Sequence, residues 1–304
     1  MSAEWERIPL ACPRCGAVVV ARAGGAHCPA CASDYPFADG ILHLTAGGRG
    51  APAYDPHHFP ILDDVEERHF WFRTRREVVL DTLRAEVADL AERPLFDVGC
   101  GTGRLLAFLM RSGVPFAGAC DAYPQGLALA RARVGGPLVL VDEGVPPPLA
   151  PGHRLIGMFD VLEHLDDDAG VLRRLFLALE PGGVIVLTVP AHPVLFGEMD
   201  ELARHRRRYT RAELGRKLRE AGFDVRRLTH FMAVMAPLIL MMRPLGRLRH
   251  RRWPASERVA AELRVVPIAN GVLRACFRLE RAWLRVLSLP FGSSLLALAV
   301  RPRP

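Results

Sequence analysis

The stretch D-V-G-C-G-T-G, from residue 97 to residue 103, largely decides the fold of this chain. It overlaps the end of a short apolar run, Leu95–Val98, and a helical pattern follows it from Arg104. Its glycines, at positions 99, 101 and 103, carry no Cβ and therefore let the backbone approach a ligand closely. The stretch predicts a strand, a ligand-binding loop and a helix in succession.

Short apolar runs alternate with helical patterns along the rest of the chain. The runs are bounded by Gly, Pro or Asp and have the length of buried strands. This alternation is typical of an α/β fold with a doubly wound, mostly parallel sheet. A helical pattern precedes the loop at 62–92. The later strands are predicted at Phe116–Cys120, Leu138–Val141, Arg154–Phe159, Val184–Val189, Phe223–Thr229 and Ser294–Arg301, and helices follow from Gln125, Asp168 and Arg211.

The spacing of the glycines differs from a dinucleotide fingerprint. In G-x-G-x-x-G the third glycine would come one residue later. Here Asp97 stands two residues before the first glycine, and Asp121 ends the next predicted strand, where it can accept hydrogen bonds from ribose hydroxyls. These features resemble the class I S-adenosylmethionine-dependent methyltransferases. The resemblance implies a Rossmann-like, seven-stranded core; a dinucleotide binder or a fold with an inactive pocket is the alternative.

Two later motifs extend this resemblance through the catalytic domain. They are F-D-V-L-E-H-L-D-D at 159–167 and L-E-P-G-G-V-I-V-L-T-V-P at 179–190. The D-x-L-E-H element is similar to that of the ubiquinone-biosynthesis O-methyltransferases, and the N/D-P-P-Y/F signature of base-modifying enzymes is absent from the sequence. The resemblance implies that S-adenosylmethionine is bound by Asp97, Gly99, Gly101, Gly103, Asp121, Asp142 and Asp160. It places Asp142 near the adenine amine.

Two C-x-x-C pairs, C-P-R-C at 12–15 and C-P-A-C at 28–31, predict a metal site near the start of the sequence. Each pair can direct two thiolates at one ion, and zinc prefers four such ligands in a tetrahedron. Redox chemistry at one pair would need a thioredoxin-like context that the sequence lacks. We therefore predict a structural Zn²⁺ held by Cys12, Cys15, Cys28 and Cys31. The segment from Ile8 to about Leu44 resembles the Trm112-like zinc-ribbon family, which accompanies methyltransferases, and this implies a ribbon that packs against the core.

These segments suggest four parts: a zinc ribbon at 1–48, a methyltransferase core at 49–230, a helical insertion at 231–290 and the last strand of the core at 291–304. The stretch 46–60 is rich in Gly, Ala and Pro and is predicted to be a linker. The other cysteines, Cys100, Cys120 and Cys276, are predicted to be small buried hydrophobic residues in a reducing compartment.

Methyl transfer needs a nucleophile held in line with the methyl group and, for a hydroxyl acceptor, a group that removes its proton. His164 and His192 follow the fourth and fifth predicted strands, where ligands of open α/β sheets bind. His205 and Tyr209 are predicted to lie one helical turn apart and to face the same pocket. We predict catalytic roles for His164, His192, His205 and Tyr209; a purely structural role is the alternative for each histidine. Arg206, Arg207 and Arg208 either bind an acidic substrate group or form a solvated face.

The chain has 304 residues, a formal charge of +7 and a pI of about 9.4. The excess is nearly all arginine, a bias that GC-rich coding also produces, and no nucleic-acid partner is predicted. No signal peptide is recognised, and the longest apolar run, Phe231–Met242, is too short to cross a bilayer, so a cytoplasmic location is expected. Residues 231–253 end in arginines and Trp253, and they form either a lid over the acceptor or a peripheral membrane contact. Residues 67–75 form either a flap over the cofactor or the start of a core helix.

Together these patterns predict an enzyme that transfers a methyl group from S-adenosylmethionine to a small or lipid-like acceptor, at oxygen, with a histidine assisting. An rRNA base methyltransferase is one alternative, because the chain is basic and zinc ribbons also precede certain rRNA guanine methyltransferases. The other alternative is a non-catalytic interaction module that only binds the cofactor.

Overall fold

The computed structural model describes residue 5 and the ranges 8–47, 59–144, 147–241 and 267–304. Within these residues, eleven strands form one mixed sheet in the order β1-β2-β3-β4-β7-β6-β5-β8-β9-β11-β10. The strands are β1 (Val20–Arg22), β2 (Gly25–His27), β3 (Asp34–Ala38), β4 (Ile41–His43), β5 (Leu95–Val98), β6 (Phe116–Asp121), β7 (Leu138–Leu140), β8 (His153–Phe159), β9 (Leu179–Pro190), β10 (Asp224–Phe231) and β11 (Ser294–Val300).

Besides a helical stretch at residues 235–241, eight helices accompany the strands in the described part of the chain. They are α1 (Phe59–Arg68), α2 (Phe70–Glu86), α3 (Arg104–Arg111), α4 (Pro124–Val134), α5 (Asp168–Ala178), α6 (Glu198–Leu202), α7 (Arg211–Glu220) and α8 (Pro267–Leu284), with short 3₁₀ turns at Leu90–Glu92, Leu162–His164 and Pro193–Leu195. The α/β architecture predicted from the sequence is confirmed. None of the helices in these ranges is long and apolar enough to cross a membrane.

The central strands β7, β6, β5, β8 and β9 run parallel, β11 pairs antiparallel with β9, and β10, antiparallel to β11, runs in the same direction as the central strands. Alternate residues of these strands contribute to two apolar cores, one on each face of the sheet. Helices α5 and α7 pack on one face, while α2, α3, α4 and α8 pack on the other. Because parallel strands end at the same edge, residues that follow β5, β6, β8 and β9 are brought close together.

The sheet has eleven strands rather than the predicted seven because the cysteine-containing segment continues it. Strand β4 pairs in parallel with β7, with Leu42 opposite Val139 and His43 opposite Leu140. The Pro9 carbonyl also lies 2.9 Å from His153 Nε2, and Ile8 and Leu10 join the core on the α5 side. The segment is therefore attached through both backbone pairing and apolar packing. The four-part domain division remains a prediction.

The predicted helix at 62–92 is interrupted at His69. The Nδ1 atom of His69 accepts a hydrogen bond from Trp71 N at 3.3 Å and caps α2, so that α1 and α2 are separate helices. Within the predicted insertion at 231–290, residues 242–266 lie outside the described ranges. Its described part ends in α8, which packs on α2 and brings Phe277 within 5.8 Å of Phe70 between ring centroids.

Candidate functional site

The loop between β5 and α3 is built from three left-handed glycines. Gly99, Gly101 and Gly103 have φ of 77°, 54° and 74°. A Cβ on Gly103 would approach the Ala130 backbone to 2.8 Å, so this glycine lets α3 and α4 pack closely. A Cβ on Gly101 would meet no atom within 4 Å, so the backbone at this position borders open space. The loop therefore presents bare backbone towards a cleft that a ligand can enter.

Two buried carboxylates lie at the carboxyl ends of the strands beside this loop. Asp121 accepts hydrogen bonds from Gly101 N at 2.8 Å and Tyr123 N at 2.9 Å, which ties the loop to β6. Asp97 is 2 % exposed, and its Oδ1 atom has no hydrogen-bond partner among the described residues. Burial raises the pKa of Asp97 to about 7, with the Arg75 guanidinium acting in the opposite direction and Asp121 in the same direction. A positively charged ligand beside Asp97 would stabilise its ionised form.

This arrangement fits S-adenosylmethionine, which carries ribose hydroxyls and positive charge. Asp121 can accept from hydroxyls, the unpartnered oxygen of Asp97 can receive a donor, and Gly101 leaves room for the ligand. Asp142, which follows β7, is buried and accepts a hydrogen bond from Ala46 N at 2.6 Å. The residue predicted to lie near adenine is thus also bound to the segment that follows β4.

Helix α1 covers the glycine loop. Its Glu66 carboxylate accepts a hydrogen bond from the Thr102 hydroxyl within the loop. Asp63 binds Arg104 at 2.6 Å and Arg133 at 2.5 Å, and these arginines belong to the two helices beside the cleft. The segment 67–75, predicted as either a flap or a core helix, spans the end of α1 and the start of α2. Helix α1 lies over the glycine loop, which is the position that a flap over the cofactor would occupy.

Asp160, at the end of β8, joins the cofactor side to the acceptor side. Its φ of 55° is unusual for a residue with a side chain, and such strain is concentrated at functional sites. Its carboxylate accepts a hydrogen bond from Thr188 Oγ1 at 2.9 Å and pairs with the buried Arg75 of α2. Arg75 lies at 4.0 Å from Glu66 and also influences Asp97. This one arginine therefore connects α1, β5 and β8.

A cluster of Glu163, His164 and His205 lies next to Asp160. One ligand atom from each of these residues lies within 4.8 Å of the others, and the two imidazole centroids are 4.9 Å apart. Both oxygens of Glu163 lack hydrogen-bond partners in the described part of the chain, and burial, with the nearby Asp160 charge, raises the Glu163 pKa well above its usual value. Burial, reinforced by His205, lowers the pKa of His164 to about 4, so His164 is neutral at pH 7. The three side chains can share a proton or bind one metal ion.

His205 is oriented by a buried carboxylate. Its Nδ1 atom donates to Asp200 Oδ1 at 2.9 Å, and Arg208 Nε donates to the same oxygen at 2.7 Å. Burial acts to raise the pKa of Asp200, but these hydrogen bonds lower it below its usual value. Asp200 thus remains ionised and fixes the tautomer of His205 with Nε2 free to accept a proton. His205 Nε2 lies 3.8 Å from Glu163, too far for a direct hydrogen bond.

His192 lies after β9 and stacks on His230, with ring centroids 4.9 Å apart and an angle of 5° between the planes. Its φ of 59° is a second strained position at a strand end. His230 is 3 % exposed, its Nδ1 lies 3.3 Å from the Leu289 carbonyl, and its Nε2 has no partner among the described residues. The predicted histidines thus form two groups, His164 with His205 and His192 with His230.

The prediction that His205 and Tyr209 lie one helical turn apart is wrong. Residues 205–208 are not helical, and Tyr209 pairs with Ala191 in an isolated bridge. The Tyr209 side chain is completely buried, and its hydroxyl donates to Asp168 Oδ2 at 2.8 Å. Lys217 binds the same carboxylate, so Tyr209 belongs to a structural network beneath α7. Arg206 pairs with Asp166 at the surface, and Arg207 pairs with the buried Asp168.

The four cysteines of the C-x-x-C pairs converge. Their sulfurs all lie within 4.8 Å of one another, with Cys12 to Cys31 at 3.6 Å and Cys15 to Cys28 at 3.4 Å. A tetrahedral zinc ion with bonds of 2.3 Å needs sulfurs about 3.8 Å apart, so the set fits zinc. Cys12 and Cys28 are buried, and the Tyr35 hydroxyl lies 2.9 Å from the Cys12 sulfur. The predicted four-cysteine cluster is confirmed.

Comparison with known proteins identifies the family to which this chain belongs. The model of the methyltransferase domain family matches residues 71–228, which is more than half of the chain. The chain belongs to the methyltransferase domain family. The predictions of membership in this enzyme family and of the accompanying cysteine cluster are confirmed.

Two curated relatives resemble the methyltransferase domain. A protein of Mycolicibacterium smegmatis named "Probable S-adenosylmethionine-dependent methyltransferase" is 32% identical over 173 residues, which are 54% of this chain and 63% of the relative. The ubiquinone biosynthesis O-methyltransferase of Pseudomonas aeruginosa is 32% identical over 160 residues, which are 46% of this chain and 68% of the relative. The match therefore spans slightly less than two thirds of the first relative's length.

One solved structure resembles most of the described fold. A chain of the complex between the Haloferax volcanii Trm112 methyltransferase activator and a methyltransferase superposes with a TM-score of 0.50 and 17% identity. The superposition covers 82% of this chain and 95% of that chain. At this identity the similarity concerns the fold alone.

Several side chains of the methyltransferase site escaped the sequence-based prediction. The structure adds Arg75, Glu66, Glu163 and His230 to the residues around the cleft. Glu163 stood inside the quoted D-V-L-E-H motif, so its position beside a predicted histidine was an available signal. The others lie on α1, α2 and β10, and no local spacing relates them to the glycine loop.

Proposed function

We propose that this protein transfers a methyl group from S-adenosylmethionine to an oxygen atom of a small or lipid-like acceptor. The observation that carries the proposal is the loop of left-handed glycines flanked by Asp97 and Asp121 at neighbouring parallel strand ends. S-adenosylmethionine supplies an electrophilic methyl group. Gly99, Gly101 and Gly103 leave space for the cofactor, Asp121 accepts from its ribose, and Asp97 faces its positive charge.

His205 is the residue that we propose removes the acceptor proton. Asp200 holds its Nδ1–H, which leaves Nε2 as the basic atom, and its side chain is 18% exposed, so an acceptor can reach it. His164 is neutral at pH 7, and it can position the acceptor through a hydrogen bond. His192 and His230 border the same strand ends. The name of the Pseudomonas relative supports an oxygen acceptor on a quinol-like molecule.

Zn²⁺ in the cysteine cluster is proposed to be structural. The cluster lies in the segment whose β4 extends the sheet beside β7, and the segment also buries Ile8 and Leu10. Metal binding would therefore stabilise an edge of the sheet rather than take part in transfer. In the Haloferax complex an activator accompanies a methyltransferase; in this chain we propose that the ribbon fulfils a similar supporting role within one polypeptide.

Calorimetric titration with S-adenosylmethionine and with its demethylated product tests the proposal first. We expect one site per chain for each ligand. Transfer of a labelled methyl group to a quinol-type phenol bearing an alkyl chain then tests the acceptor class, with an RNA probe as the comparison. Binding without transfer to any phenol would contradict the acceptor proposal, and absence of binding would contradict the enzyme proposal. A cytoplasmic location and the lack of a nucleic-acid partner remain predictions.

A further inference from the structure

Helix α8 has an apolar face that points away from the sheet. Its inner residues Phe277 and Leu284 are buried in the core on the α2 side. Val272, Leu279 and Trp283, by contrast, are 58%, 69% and 60% exposed. Spacings of seven and four residues place these three side chains on one side of the helix. Exposed apolar residues continue beyond the helix at Val286, Leu287 and Phe291.

Arginines flank this apolar face. Arg274 and Arg278 of α8 line a cleft together with Arg73 of α2 and Glu77. Glu77 pairs with Arg281, while no ion pair joins Arg73, Arg274 or Arg278 to another residue of the described ranges. The Nε atom of Arg73 is buried and lacks a hydrogen-bond partner within those ranges. The cleft therefore holds an excess of positive charge that an anion would neutralise.

The burial and mutual repulsion of these arginines support that interpretation. Burial, with the nearby charges of Arg73 and Arg278, lowers the pKa of Arg274 below its usual value. The acidic residue within α8, Glu280, faces inward, where it accepts hydrogen bonds from Met232 N at 2.5 Å and Ala233 N at 2.8 Å. The outward side of α8 thus combines apolar and cationic side chains without an acid.

We propose that the outer face of α8 binds the surface of an anionic lipid bilayer. Leu279 and Trp283 would enter the boundary between headgroups and acyl chains, where apolar and aromatic side chains of interfacial helices lie. Arg73, Arg274 and Arg278 would contact headgroup phosphates. This inference goes beyond the proposed function, because it concerns the location of the protein rather than its chemistry.

Charge favours a membrane over a second copy of the chain. Two α8 faces in contact would bring together two sets of arginines that have no ion pair within the described residues, and α8 has no outward-facing acid to compensate them. An anionic bilayer offers both an apolar phase and negative charge at its surface. Self-association through this face is therefore an outcome that the experiment must be able to reveal.

The proposed membrane face also leads towards the acceptor side of the site. Leu289, which follows Leu287 by two residues, contacts His230 through its backbone, and His230 stacks on His192. A lipid-like acceptor in the bilayer would therefore reach the histidines by a short path along this segment. The same segment would therefore attach the protein to the bilayer and give a lipid-like acceptor access to the histidines.

Vesicle co-sedimentation of the full chain tests this inference. The probes are vesicles of phosphatidylcholine alone and of phosphatidylcholine mixed with phosphatidylglycerol. Wild type is expected to bind the anionic vesicles and to be released as salt rises, because salt screens surface attraction. The double variant Leu279→Ser/Trp283→Ser is expected to bind about 100-fold more weakly. Arg274→Gln/Arg278→Gln is expected to bind about 30-fold more weakly.

Arg173→Gln/Arg174→Gln is the matched control, since these exposed arginines of α5 lie on the opposite face of the sheet. It removes the same charge and is expected to bind vesicles like wild type. Equal loss in this control, or equal binding to both vesicle types, would overturn the assignment to α8 and anionic lipid.

Analytical ultracentrifugation separates self-association from membrane binding. A dimer of wild type that dissociates in Leu279→Ser/Trp283→Ser, without vesicle binding, would assign the face to a second copy and overturn the inference. Cofactor titration of each variant checks that the fold is retained. Cofactor binding without vesicle binding would refute only the membrane inference, whereas vesicle binding without cofactor binding would refute only the proposed function.

Discussion

The glycine loop and the histidine cluster lie at the same edge of one sheet, but they are built in different ways. The loop is contiguous in sequence, and its geometry comes from backbone conformation at Gly99, Gly101 and Gly103. The histidine cluster is assembled from side chains on separate elements and depends on Asp200 for its orientation. Single substitutions that alter the backbone of the loop should therefore abolish cofactor binding. Substitutions in the histidine cluster should instead lower the rate of methyl transfer and leave cofactor binding intact.

The largest expected effect comes from Gly101→Val. A valine is strained at φ of 54°, and its side chain would project into the space left for the cofactor. We expect calorimetry to detect no binding of S-adenosylmethionine. Gly113→Val provides the matched control, because Gly113 has φ of 92° and open space around it but lies at the end of α3. Equal loss of binding in both variants would mean that backbone strain alone explains the result.

On the acceptor side, His205→Gln should reduce kcat by about two to four orders of magnitude, as expected when a general base is removed. The dissociation constant of S-adenosylmethionine should stay unchanged, since His205 lies outside the glycine loop. His164→Gln and His192→Gln, measured in the same assay, show whether another histidine removes the proton. A wild-type rate in His205→Gln would refute the role of His205.

Cys28→Ser tests whether the predicted zinc ion stabilises the fold without taking part in methyl transfer. Cys28 is fully buried in the four-cysteine cluster, and removal of one ligand should release zinc and lower stability by several kcal/mol. Elemental analysis measures the metal, and chemical denaturation measures the free energy of unfolding. Cys276→Ser, outside the cluster, should keep its zinc. Full metal content in Cys28→Ser would contradict the assigned ligand set.

The raised pKa of Asp97 predicts a pH dependence of the ligand-free protein. In an unfolded chain aspartate titrates near 3.9, whereas burial raises the pKa of Asp97 to about 7. Between these values the folded state retains a proton that the unfolded state loses, so stability falls as the pH rises, by up to about 4 kcal/mol. Asp97→Asn should flatten the stability curve between about pH 4 and pH 7. Parallel curves for the two proteins in thermal unfolding would contradict the assigned pKa.

The smallest effect on activity is expected for Tyr209→Phe. Loss of the hydroxyl that donates to Asp168 should lower the free energy of unfolding by about 1 to 3 kcal/mol, because a buried acceptor loses its donor. The rate of transfer should change little, since the Tyr209 side chain is completely buried and is bound to Asp168. A collapse of kcat at unchanged stability would instead place Tyr209 at the acceptor.

Local sequence was sufficient for the parts of the molecule that depend on local geometry. The glycine spacing, the acid at the end of β6 and the C-x-x-C pairs each specify a structure within a few residues, and the fold and the cysteine cluster appear as expected. The pairing of β4 with β7 could not be predicted in the same way. It joins residues about one hundred positions apart, and short strands carry no signal for their partner.

The error at Tyr209 has a similar physical origin. A spacing of four residues implies proximity only on a helix, and residues 205–208 are not helical. Arg75 was missed because its role arises from tertiary contacts with Asp160 and Glu66. Charged residues in helices are usually solvated, and the sequence alone gave no reason to treat this arginine differently.

Crystallisation of the chain with S-adenosylhomocysteine tests the central claim most directly. We expect the ligand at the carboxyl ends of β5 and β6, with its ribose hydroxyls within hydrogen-bond distance of Asp121 and its backbone contacts at the loop 99–103. A ligand bound elsewhere, or no ligand at saturating concentration with an intact fold, would contradict the claim that this glycine loop is the cofactor site.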